Sequence, residues 1–143
     1  MTGAGFVAHR KVLRLAGSAL QAACAGRWDA ASTYVTRISG ECGAEGVAAV
    51  LGAWSDTLID HATGGNAAAR PALVAALTGQ SDDTPAVWAR AVIASRATAD
   101  VEGWSDLMGR LESFAPEKVG EYVAVLLLMV SVMVSELPAG FVL

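Results

Sequence analysis

The sequence predicts an all-α fold, and three observations carry that reading. Apolar residues recur at helical intervals along most of the 143 residues, Gly and Pro fall between the periodic stretches, and no run alternates convincingly with period two. A chain of this length suits a single domain, 1–143, with a core of its own.

The elements follow in order. Leu13, Ala16, Leu20 and Cys24 share one stripe of a first helix, with Arg10, Lys11 and Arg14 off it, and Gly26 breaks the run. A second helix sets Trp28, Ala31, Val35 and Ile38 on one face, and Gly40 and Gly43 end it. A third, from about Glu45 to His61, turns Val47, Leu51, Trp54 and Leu58 one way and Asp56 and Asp60 another, until Gly64-Gly65-Asn66 closes the first half. Pro71 is expected to open a short helix through Leu77, and 79–83 reads as a loop. Thr84-Pro85 pairs an N-cap with a proline at the first helical position, for a helix to about Ala97. Asp100 is expected to cap a helix carrying Trp104, Leu107, Leu111 and Phe114. Pro116 opens the last helix, which runs to about Leu137 and stops before Pro138.

A shift of 76 residues lays the first half on the second without a gap. It sets Trp28 on Trp104, Glu41 on Glu117, Val47 on Val123, Leu51 on Leu127 and Ser55 on Ser131. Self-similarity of this kind signals repeat architecture. The expectation is a compact helical bundle of two duplicated three-helix units, about 9–62 and 84–137, joined by a connector at 63–83. Trp28 and Trp104 should then occupy equivalent hairpin junctions.

The stretch LAGSALQAACAGRWDAASTYV, with Gly26 and Trp28 near its turn and Ala31 in its second helix, resembles a tetratricopeptide helix-turn-helix. The resemblance covers this hairpin and a poorer copy that lacks the glycine, at Glu102. A third helix per unit and the missing 34-residue period depart from that family. The chain also resembles small all-helical proteins of high-GC bacteria and their phages, which implies no function.

Composition narrows the function classes. With 54% hydrophobic and 17% charged residues the chain is unlike a disordered tail, and the apolar excess suggests a homo-oligomer. A net charge of −4 offers no broad basic face, so nucleic acid is not the expected partner. Cys24 and Cys42 match no CxxC or zinc spacing and read as buried free thiols in a reducing cytoplasm. No apolar segment follows the first residues as a secretory signal would require. The apolar run from Tyr122 to Val134 falls short of the ~20 residues of a membrane span and has acidic flanks, so a core helix is expected.

No phosphate-binding, dinucleotide, zinc-protease or nucleophile-elbow motif is present, and His9 and His61 are the only histidines. Catalytic, cofactor and metal sites are therefore not expected. Asp56, Asp60 and His61 share the end of the third helix and read as a solvated face, with His61 near the negative end of the dipole. Cys42 lies beside Glu41 and Glu45, carboxylates that raise a thiol's pKa and so disfavour reactivity. Arg10, Lys11 and Arg14, with His9, form a local positive patch. The candidate partner contacts are Arg10, Lys11, Arg14, Asp56, Asp60 and His61.

The reading that results is a non-enzymatic helical protein–protein interaction module, or adaptor. The alternative is a small regulator binding nucleic acid or a hydrophobic ligand. An open concave face would favour the first and a closed apolar cavity the second. The last helix adds one expectation. The 76-residue shift replaces Asp56 by Val132, and Gly52 and Ala53 by Leu128 and Met129, so it is apolar nearly all round. Such a helix should be central, with part of it, or the tail Phe141-Val142-Leu143, making a homodimer contact.

Overall fold

The computed structural model describes residues 3–77 and 84–142, and the loop expected at 79–83 lies outside them. The helices are α1 (Gly3–Cys24), α2 (Trp28–Glu41), α3 (Gly43–Thr63), α4 (Arg70–Leu77), α5 (Thr84–Ala97), α6 (Val101–Glu112) and α7 (Pro116–Glu136), with a 3-10 turn at Ala67–Ala69. Among the described residues there is no strand. Each expected helix is present. Gly40 does not stop α2, which runs to Glu41, so that Cys42 alone separates it from α3.

The core forms where α3 and α7 meet. Both also pack against α1 and α5, while α2 lies on α1, α3 and α7, and α4 on α3 and α5. α3 is the more deeply set. Val50, Leu51, Trp54 and Leu58 are buried, and the Trp54 indole donates to Ala16 O at 2.9 Å, which satisfies its N–H inside the core. Trp88 of α5 is buried likewise and donates to Leu107 O at 3.3 Å.

Both helical hairpins close with the same left-handed residue. After α1, Gly26 has φ 75° and Arg27 N donates to Ala22 O at 2.9 Å. After α5, Ala99 takes φ 56° and Asp100 N donates to Ser95 O at 2.8 Å. These are Schellman closures, and the second carries a Cβ where glycine is preferred. The residue matching Gly26 is thus Ala99 rather than Glu102. Asp100 then caps α6 as expected, its Oδ1 accepting from Gly103 N at 3.0 Å.

The connector at 63–83 carries the short helix expected from Pro71, and α4 buries Leu73 and Leu77 in the core. α7 is not covered all round: Tyr122, Val123, Leu126, Leu127 and Val130 face inward, but Leu128 is 46% exposed and Val132 38%. All its neighbours lie on one side. The tail is already used within the fold. Gly140 N donates to His61 O at 2.7 Å, which also accepts from Gly64 N at 3.4 Å, and Val142 N donates to Ala62 O at 3.2 Å, so the tail helps satisfy the last carbonyls of α3. Phe141 and Val142 pack on the core, leaving the α7 stripe as the free apolar face.

The 76-residue echo holds for burial and not for helix boundaries. Val47 and Val123, Leu51 and Leu127, and Ser55 and Ser131 are all buried. Trp28 is the first residue of α2, whereas Trp104 lies one turn inside α6, because α6 starts three residues early relative to the echo. The two tryptophans therefore do not share one environment. Trp28 is 46% exposed and Trp104 half-buried.

Two substitutions test this packing by urea unfolding. Leu73→Ala is expected to cost about 2–5 kcal/mol, as for a buried leucine, where a linker residue would cost almost nothing. Ala99→Gly is expected to stabilise by about 0.5–1 kcal/mol, the left-handed strain less the added freedom of the unfolded chain.

Candidate functional site

Two open clefts cross the surface on either side of the point where α2 ends and α7 begins. The first, about 630 Å³, runs between α2 and α7 from Trp28 past Val35 to Ser39 and Gly40, with Gly120 and Ala124 opposite. The second, about 640 Å³, runs between the start of α3 and α6, and its large residues are Trp104, Met108, Leu111 and Phe114. Ser39 and Pro116 line both, so the clefts adjoin there, and the two together make up a lane. By helical rise the α2 arm, Trp28 to Ser39, is about 16 Å long and the α6 arm, Trp104 to Glu112, about 12 Å.

Its residues follow the echo. Positions 76 apart line the two arms alike: Trp28 and Trp104, Val35 and Leu111, Ala124 and Ala48, Gly120 and Ala44. The arms differ in how their helices are held. α2 packs directly on α7, but α6 leans on α5, touches α7 lightly and stands off α3. The second arm is therefore walled by larger side chains that no other part of the described chain covers.

The ends of the lane carry its most apolar groups. The indole N–H groups of Trp54 and Trp88 are satisfied in the core, whereas those of Trp28 and Trp104 have no protein partner among the described residues. The Trp104 ring is held from behind. Arg96 lies over it at 5.2 Å from the ring centre, and Asp56 grips that guanidinium with two bonds, 2.9 and 3.0 Å. Gly52 makes room: a Cβ there would meet the Arg96 guanidinium at 3.4 Å. The bidentate bonds to Asp56 raise the Arg96 pKa further, so its charge is permanent.

The middle of the lane carries acids beside apolar Phe114 and Val119. Glu117 lines the first arm and Glu45 and Glu112 the second, and among the described residues no Lys or Arg lines either. Lys118, close by, is engaged over the Phe114 ring at 5.3 Å. The Ser39 hydroxyl, at the junction, is inaccessible and has no hydrogen-bond partner; the one other such hydroxyl among the described residues, Ser55, is in the core.

The residues singled out from sequence do not form one site. Asp56 is tied to Arg96, and His61 donates from Nε2 to Leu137 O at 2.7 Å and thereby holds the tail. Asp60 is exposed, and only its carbonyl is used, by Gly65 N. Arg10, Lys11 and Arg14 are exposed on α1, where Lys11 meets Glu41 at 3.7 Å and Arg37 meets the same carboxylate at 3.1 Å. That Arg37 bond, with Lys11 helping, keeps the Glu41 carboxyl below its usual range. Cys24 and Cys42 are free and half-buried, and burial pushes both thiols up, with Glu41 adding to the effect on Cys42. Among the described residues no three His, Cys, Asp or Glu side chains gather as a metal site would need.

The sequence places Trp28 and Trp104 at equivalent hairpin junctions and does not connect them across a surface. The 76-residue correspondence was the available signal, since it pairs the ends and the floors of both arms. Comparison of the chain with family models, curated proteins and solved structures finds no match.

Two measurements check these geometries. With 5-fluorotryptophan incorporated, Asp56→Asn is expected to shift and broaden the Trp104 fluorine resonance and leave that of Trp54 in place, at a stability cost of no more than about 1 kcal/mol for so exposed a pair. An unmoved Trp104 signal would show that the clamp does not hold the ring. Alkylation of Cys42 by iodoacetamide is expected to be slower than that of free cysteine at pH 8. It should accelerate as pH climbs towards the raised thiol pKa, because the thiolate is the reacting form.

Proposed function

We propose that this chain is a non-enzymatic, cytoplasmic adaptor that binds a segment of another protein along the lane between Trp28 and Trp104. The observation that carries the reading is the meeting of the two arms at Ser39 and Pro116, with an unpartnered indole at each end. Tryptophans with a free N–H beside an apolar trough are typical interface anchors. The clefts are open, which favours a macromolecular partner over an enclosed hydrophobic ligand. The glutamates along the lane favour protein over nucleic acid. The lining offers Ser, Thr and Glu side chains and neither His nor Cys, in keeping with binding rather than chemistry. An ancestral duplication accounts for the paired linings.

A second reading, self-association, draws on α7. Leu128 and Val132 are exposed one turn apart, with Glu121 and Glu136 on the same side nearer the ends of α7, and covering such a stripe with another copy removes apolar area from water. α7 is long and apolar enough to cross a membrane by length and composition. Its packing against α1, α2, α3 and α5 supports a core helix instead.

A photo-reactive amino acid at Ser105, on the wall of the second arm, is expected to cross-link a defined protein in cells. Trp28→Ala with Trp104→Ala should abolish that product while the fold survives, since neither ring is in the deep core. A cross-link that persists at full yield in the double variant would overturn the lane as the docking site. For self-association, light scattering is expected to give a dimer mass for the natural chain and a folded monomer for Leu128→Asp. A monomeric natural chain would remove the second reading.

A further inference from the structure

We infer that the segment docking in the lane is an amphipathic helix with a basic middle flanked by apolar anchors; this rests on the docking reading above. Three features select that occupant. The first is charge. Glu45, Glu112 and Glu117 enter the lane from three different helices, all near its centre, and among the described residues no cation lines it. Two of them sit in the first turns of α3 and α7. Lys118 is held on Phe114 and Arg37 on Glu41, so the nearby positive charges have partners already. Asp106 and Arg110 point away, on the far side of α6 by helical geometry. Lys or Arg side chains of a partner would neutralise the three carboxylates.

The second feature is spacing. Trp28 and Trp104 stand at the outer ends and the three acids near the junction, with Leu111, Phe114 and Val119 also lining the second arm, so the complementary segment carries apolar groups at both ends and basic groups on one edge of its middle. Arms of about 16 and 12 Å together match a helix of roughly 18 residues.

The third is the form of the backbone. Recognition of an extended strand needs a sheet edge to supply main-chain bonds, and among the described residues there is no strand. The floor instead presents small residues, Ala44 and Ala48 in one arm and Gly120 and Ala124 in the other, over which a helix can lie close. A helix anchors by side chains at intervals of three and four, which is what a trough ending in two indoles accepts.

The test uses the full chain and two synthetic helical peptides of about 18 residues. One carries a Leu stripe with Lys at the centre, and its twin has Glu in place of each Lys. Calorimetry is expected to show 1:1 binding of the Lys peptide, roughly tenfold or more tighter than its twin and weakening with salt. Trp28→Ala with Trp104→Ala should abolish it. The triple variant E45K/E112K/E117K should reverse the preference. Lysine in two helix first turns opposes the dipole, so E45Q/E112Q/E117Q serves as the milder variant and should erase the preference without reversing it. Equal binding of the twins, or a preference unmoved by the Gln triple, would overturn the basic helix while leaving the lane to the cross-linking result. Binding of neither peptide up to millimolar concentration would overturn it too. A chain whose dimer mass is lost in the Trp28/Trp104 double variant would assign the lane to a second copy and overturn it as well.

Discussion

The contact between α3 and α7 is the constraint from which the rest of the structure follows. Each is a long helix of 21 residues whose inner positions are apolar, and neither can hide that surface alone. Pressed together they bury Leu51, Trp54, Leu126 and Leu127, side chains worth about 1.5–3 kcal/mol each when taken fully from water. α1 and α5 then cover both flanks, each touching both central helices. Trp54, with its N–H on Ala16 O, ties α1 to this centre by geometry as well as by area. What remains for α2 and α6 is the outside, and their position there creates the lane.

The two outer helices are not held equally, and the difference has a local cause. α2 follows α1 through a glycine turn and leaves α1 with Trp28 as its first residue. α6 follows α5 through the same kind of turn but carries one more turn before its tryptophan. Trp104 therefore arrives where Arg96 can lie over it, and the Arg96–Asp56 pair fixes that ring from the side of α3 and α5. An exposed ion pair contributes little to stability. Its effect here is on order: it restrains an aromatic side chain that would otherwise lose freedom on binding. Asp56 thus acts on the Trp104 ring through Arg96.

Much of the fold was legible in the sequence, because helical periodicity, Pro85, Pro116 and the Asp100 cap are local signals and α3, α5, α6 and α7 obey them. The exceptions depended on partners distant in sequence. Leu73 marks α4 as core only once α3 and α5 are in place around it. Leu128 and Val132 are as apolar as Leu126 and Val130, and composition alone does not say which side of α7 receives neighbours. The Asp56, Asp60 and His61 group shows the same limit. Their shared helix end was readable, but Arg96 lies 40 residues from Asp56 and Leu137 lies 76 from His61, and no local pattern announces those partners. The lane was the least legible, since it lies between helices from opposite halves of the chain.

Magnitudes set what such a lane can achieve. Trp28 is 46% exposed, which leaves on the order of 100 Å² of a ring that buries 150–250 Å² when covered, or about 2.5 kcal/mol. Trp104 is more buried and adds less by area, but its ring is already oriented. Three carboxylates meeting cations in a partly desolvated trough contribute around 1 kcal/mol each, less as salt rises. Against these stands an association cost of at least about 4 kcal/mol. For the docking role proposed here, the balance would correspond to a weak, reversible complex, in which the apolar ends supply affinity and the acidic centre selects the partner. That division follows from the order of residues along the lane. Apolar anchors at the centre and charges at the rim would form a tighter and less discriminating surface. The arrangement observed places the glutamates where a partner of the wrong charge would bury like charges together, a cost that neither tryptophan could offset.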